Sequence, residues 1–137
     1  MSNRLGTPTS QILASGAITA AGRVMSFGKA VALASAVGVY VASATVGNRT
    51  VQVQIKDSAG NICLRLPLNA AITAGQTVNI VASSGVTIAN FATTPIIQTV
   101  PIPIDCPIPD GGSITIVDTA NIDGAGDTVA INALLSF

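Results

Sequence analysis

Between Arg49 and Lys56 the chain alternates without a break, with Val51, Val53 and Ile55 at one parity and Gln52, Gln54 and Lys56 at the other. A period of two places successive side chains on opposite faces of a strand, one toward a core and one toward water. The same period returns at Val37, Val39 and Val41, which alternate with Gly38, Tyr40 and Ala42, and at Val78, Ile80 and Ala82. It returns again at Ile62, Leu64, Leu66 and Leu68. Between Lys56 and Ile62 lies Asp57, Ser58, Ala59, Gly60, Asn61, a run with the side-chain acceptors and the glycine available for positive φ that a tight turn uses. The spacing therefore predicts a hairpin over 49–68.

Weaker strand signals run from Val86 to Phe91, and from Ile96 to Ile104, where Pro101 and Pro103 remove two ladder donors. Such a strand belongs at a sheet edge or against a partner. Ser113–Val117 and Thr128–Leu135 complete the set, joined by a loop containing Asp118, Asn121, Asp123 and Asp127. Of the 137 residues, 44 are Val, Ile or Thr, side chains that suit a pleated sheet and lose rotamer freedom in a helix. The expectation is an all-β fold: a single jelly-roll-like β-sandwich of about eight antiparallel strands spanning 37–137.

Residues 1–36 look different, rich in Ala, Ser, Gly and Thr and interrupted by Gly6, Gly16, Gly22 and Gly28. They are expected to form an N-terminal arm with little regular structure. Thr7 and Pro8 can cap and start one helical turn through Leu13, which Gly16 would stop. Aliphatic side chains on such an arm need burial somewhere, which makes Leu5, Ile12, Leu13 and Ile18 its candidate partner-binding residues.

The side chains of acid–base chemistry are scarce. The chain has no His, no Glu and no Trp, and one Tyr, which excludes Ser-His-Asp and Cys-His arrangements and zinc-hydrolase motifs. We expect no enzyme, no catalytic or metal site and no cofactor. The aspartates of the 118–127 loop fail the calcium-loop spacing and read as turn formers. Six cations and six aspartates cancel, and the cations are dispersed, so no nucleic-acid-binding stripe forms. Arg49, Lys56 and Arg65 are placed on the solvent or partner face of the hairpin. The stretch from Ala30 to Val46 falls short of the roughly 20 apolar residues of a membrane span, and no cleaved secretory signal is expected. Cys63 and Cys106 are read as thiols packed in the sheet.

Only 9% of residues are charged, against about 25% in an ordinary globular domain. A small domain so poor in charge favours association over a solitary life in water. From Val39 onward the segments "VYVASATVGNRTVQVQIKDSAGNICLRLPL", "PIPIDCPIPDGGSITIVD" and "TANIDGAGDTVAINALLSF" resemble those of tailed-bacteriophage capsid cement or decoration proteins of jelly-roll type. The resemblance implies a structural virion protein on the outer surface of the capsid. It further implies a homotrimer seated on the major capsid protein, with the N-terminal arm making contacts between subunits. The alternative expectation is a tail, spike or surface adhesin module that binds glycans, for which Tyr40 and the loop aspartates would be the recognition groups.

Overall fold

The computed structural model describes residues 9–136 and contains eleven strands: β1 (Thr9–Ala17), β2 (Arg23–Ser26), β3 (Val31–Val41), β4 (Val51–Lys56), β5 (Ile62–Pro67), β6 (Thr77–Ser83), β7 (Ala89–Phe91), β8 (Ile96–Pro101), β9 (Cys106–Ile108), β10 (Ser113–Asp118) and β11 (Thr128–Ser136). They form two sheets. The larger has seven strands in the order β1-β11-β3-β6-β8-β7, with β9 paired to the first residues of β3; the smaller has the order β2-β10-β4-β5. All pairings are antiparallel except β6 with β8, which run parallel. The all-β sandwich predicted from periodicity is thus the fold, with more strands than expected because β1, β2 and β9 lack strong alternation.

The hairpin of β4 and β5 forms as its turn chemistry predicts. Asp57 Oδ1 accepts the backbone N–H groups of Ala59 at 3.0 Å and Asn61 at 2.9 Å, and Gly60 takes a φ of 85°. A register shift after Ile55 turns Ile62 away from the apolar face that Leu64 and Leu66 share. The proline-bearing strand is an edge only locally. β7 covers Ile97, Gln98 and Thr99 of β8 and stops there, so Pro101 lies beyond its reach, and the next residue, Ile102, donates its N–H to Ser83 O at 3.1 Å.

Residues 9–36 do not form an arm. Thr9–Leu13, expected as a helical turn, lie in β1, paired residue by residue with Ile131–Leu135 of β11, and β2 pairs with β10. Backbone pairing to strands some 87 to 126 residues downstream outweighs the weak local preference of an Ala/Ser/Gly segment. Gly16 and Gly22, read as interruptions, serve close approaches instead. A Cβ on Gly22 would stand 2.8 Å from Ile116 O, and the residue has a φ of 90°.

The core lies between the two sheets. Leu33, Tyr40, Val78, Ile80, Val129, Ile131 and Leu135 of the larger sheet meet Met25, Val53, Ile55, Ile114 and Ile116 of the smaller. In β3 the inward positions past its register shift against Leu134 and Leu135 are small or aromatic: Ala36, Gly38 and Tyr40. Ile116 packs directly on Gly38, where a Cβ would sit 2.3 Å from its Cδ1. Because the glycine face is needed for that approach, the face bearing Val37, Val39 and Val41 turns outward, with Val37 and Val41 exposed.

Candidate functional site: an uncharged sheet face and the buried ion pair behind it

The distribution of charge between the sheets is one-sided. Among the described residues, none of the seven strands of the larger sheet carries Asp, Lys or Arg, whereas the smaller sheet holds Arg23, Lys56, Arg65 and Asp118. Cross-strand partners share a face, so the register assembles the outer surface of the larger sheet. Ala130 and Asn132 lie opposite Val39 and Val37; Val81 pairs Val37 on the other side and Thr99 beyond it; Phe91 pairs Ile97. Ile12 of β1 extends the face across Asn132. Of the ten large hydrophobic side chains left exposed among the described residues, five (Ile12, Val37, Val41, Phe91 and Leu134) belong to this one surface, while Val24 and Ile62 lie on the smaller sheet and Val46, Ile88 and Ile104 lie outside the strands.

The predicted partner-binding residues are split by this arrangement. Ile12 lies on the outer face and is 71% exposed. Leu13, its neighbour, points the other way and packs against the core. Ile18 is 1% exposed within the core, and its N–H donates to Asp127 O at 3.1 Å; it is a packing residue, and the expectation that it anchors a partner is corrected. Leu5 lies outside the described residues. Sequence reasoning missed Val37, Val39, Leu134 and Phe91, although the charge-free strands that carry them were visible as such.

Behind this face, where β3 and β11 meet, sits an ion pair that the sequence placed elsewhere. Arg49, expected on the solvent or partner face of the hairpin, is fully buried, as is its partner Asp127. It precedes β4 and turns inward, anchored by backbone hydrogen bonds with Ile72 in both directions. Arg49 Nε donates to Asp127 Oδ2 at 2.9 Å and Nη2 to Oδ1 at 3.1 Å, a two-pronged contact suited to the planar guanidinium. Its Nη1 donates to the carbonyls of Thr45 at 2.9 Å and Gly47 at 2.7 Å. Asp127 also accepts the Tyr40 hydroxyl at 2.6 Å and the Ser43 N–H at 2.8 Å. Alongside, Asp123 Oδ2 accepts the hydroxyls of Ser43 at 2.6 Å and Thr45 at 2.8 Å, while Asp118 accepts the N–H groups of Thr50, Ala120 and Ile122. The loop aspartates thus organise backbone turns, as their residue types suggested, and they also tie the ends of β3 and β11 to the loop entering β4.

This network has no group poised to exchange protons near neutrality. Burial pushes the Asp127 carboxyl up, but the hydrogen bonds from Arg49 and Tyr40 outweigh it and hold the group at about 2. Burial, reinforced by the Asp127 carboxylate, pushes the Tyr40 hydroxyl well above the usual tyrosine range. The hydrogen bond to Asp127 raises Arg49 despite its burial. A carboxyl with a lowered native pKa contributes stability above its unfolded value, lost as pH falls through the native one; a tyrosine with a raised pKa contributes below its unfolded value and loses it as pH rises. Stability should therefore form a plateau between about pH 5 and pH 9 and fall at both ends. Burial likewise pushes the Cys106 thiol up, so urea midpoints across pH check this with Cys106→Ala as the background, in which Tyr40→Phe should remove the alkaline fall while keeping the acid one. An unchanged alkaline limb in that variant would contradict the assignment.

Comparison of the chain with protein-family models, with curated proteins and with solved structures finds no match in any of the three.

Proposed function

We propose that this protein is a structural component of an assembly, docked on a protein lattice through the outer face of its seven-stranded sheet. The more specific reading is a cement protein on the outer surface of a bacteriophage capsid, with the major capsid protein as its partner and association into trimers. The observation that carries the docking reading is the uncharged outer face. Six strands at about 4.8 Å spacing, running from three residues in β7 to eleven in β3 at about 3.3 Å per residue, span on the order of 700 Å², comparable with the ~800 Å² that one partner contributes to a stable interface. Isolated exposed hydrophobic side chains are ordinary, whereas a face of this size that mixes Ile12, Val37, Val41, Phe91 and Leu134 with only neutral polar side chains such as Asn132, Asn79 and Thr99 suits contact with another protein. The step from a docked protein to a capsid component rests on the sequence resemblance.

Gln52, Lys56 and Arg65 of the opposite sheet, part-exposed or exposed, suit the outward side of such a component. The glycan-binding reading loses its best aromatic, since Tyr40 is wholly buried and hydrogen-bonded to Asp127. The decisive experiment is a quantitative protein inventory of purified virions. The expected result is this chain in fixed proportion to the major capsid subunit; recovery at a few copies per particle would overturn the cement reading.

A further inference from the structure

We propose that Asp110 is a site of spontaneous backbone modification: its side chain closes on the Gly111 nitrogen, and the chain at this turn converts from an aspartyl to an isoaspartyl linkage. This inference goes beyond the docking reading and stands independently of it.

An aspartate followed by glycine is prone to this reaction, because glycine presents its nitrogen with no side chain in the way and leaves the backbone free to turn. The chain contains two such pairs, Asp110–Gly111 and Asp123–Gly124. In the first step the glycine nitrogen attacks the aspartate Cγ. An N–Cγ bond forms, the Cγ–OH bond breaks, and the hydroxyl leaves with the amide proton as water, closing a succinimide ring. Water then opens the ring at either carbonyl. Opening at Cγ restores the aspartate, whereas opening at the main-chain carbon leaves the chain running through Cγ and turns the former main-chain carbonyl into a carboxylate. The reaction needs a carboxyl that can be protonated and swing onto the nitrogen, and a peptide that can rotate to meet it.

The structure separates the two pairs on both requirements. Asp110 and Gly111 are exposed in the turn between β9 and β10. The Gly112 N–H donates to Pro109 O at 2.8 Å, and Gly111 takes a φ of 75°, which makes the Asp110–Gly111 peptide the central unit of a type II turn. That peptide takes no part in the bond closing the turn. Among the described residues, neither its N–H and carbonyl nor the Asp110 carboxyl has a hydrogen-bond partner, so ring closure breaks no such bond.

Asp123 is held at both ends. Its Oδ2 accepts the hydroxyls of Ser43 at 2.6 Å and Thr45 at 2.8 Å, and its Oδ1 accepts the Gly126 N–H at 2.9 Å. These bonds keep the carboxyl ionised, below the usual carboxylate range. The peptide that would have to rotate is fixed as well, since Asp123 O accepts the Asp127 N–H at 2.9 Å and Gly124 O accepts the Thr19 N–H at 2.9 Å.

The test ages the folded full chain for several weeks in mildly acidic buffer made with heavy-oxygen water, followed by digestion in ordinary water and peptide mapping. Ring opening places the label in the product, and fragmentation distinguishes isoaspartyl from aspartyl peptides. Label and isoaspartate should accumulate at Asp110 at least about tenfold faster than at Asp123, the ratio set by one hydrogen bond to a charged group. In urea the two rates should become similar. No label at Asp110 in the folded chain would overturn the proposal, as would labelling of Asp123 at the same rate. A difference that persists unchanged in urea would also overturn it, because the turn and the tethers would then not be its cause.

Discussion

Arg49→Met should lower the stability of the folded chain by about 3–5 kcal/mol, because it leaves the Asp127 carboxylate buried without its counter-charge. For a domain whose total stability is of the order of 5–15 kcal/mol, that is a large share. It corresponds to a fall in melting temperature on the order of 10–20 °C. Tyr40 and the Ser43 N–H still donate to the carboxylate in the variant, so Asp127 would persist as a charge at neutral pH and become easier to protonate. The acid limb of the stability profile should accordingly move to higher pH. Adding Asp127→Asn removes the stranded charge, and the double variant should recover part of the loss, a non-additivity expected of partners in one network. Urea denaturation of the four proteins measures it. A loss below about 1 kcal/mol for Arg49→Met, the range of an exposed ion pair, would show that the pair does not hold the ends of β3 and β11 together.

Val37→Asp combined with Leu134→Asp should reduce binding to the protein lattice at least about a hundredfold, since two carboxylates would have to be desolvated at the centre of an apolar contact. Both positions are part-exposed on adjacent strands of the outer face, so the free protein should keep its melting temperature to within a few degrees, as surface substitutions usually do. Arg65→Asp, on the opposite sheet, is the control and should bind normally. Co-sedimentation with capsids measures the effect. If the double variant binds as well as the parent while Arg65→Asp does not, the docking face is the four-stranded sheet.

These two predictions draw on different levels of the molecule, and they differ in how far they could be read from residues alone. That β3, β6, β8 and β11 are strands without charge is plain from the chain, because alternation and composition are local properties. The turn of the hairpin over 49–68 was legible, since the aspartate, glycine and asparagine that make it lie within five positions of one another, whereas the outward turn of Ile62 and the burial of Arg49 and Gln54 were not. The strand character of Thr9–Ala17 was not, because a segment of small polar residues has no pattern of its own and becomes a strand by pairing with β11.

The chain by itself determined the class of fold, the principal turns and the poverty of charge, all consequences of side-chain period and type acting over a few residues. Only the tertiary structure decided which parity of β3 faces water, because that depends on Ile116 needing the space above Gly38. It alone placed Arg49 inside, opposite a carboxylate 78 positions away, where a cation that looks solvated in sequence becomes the centre of a buried network. A single strand carries no information about which sheet will lie over it, and burial of charge is settled only when both partners arrive.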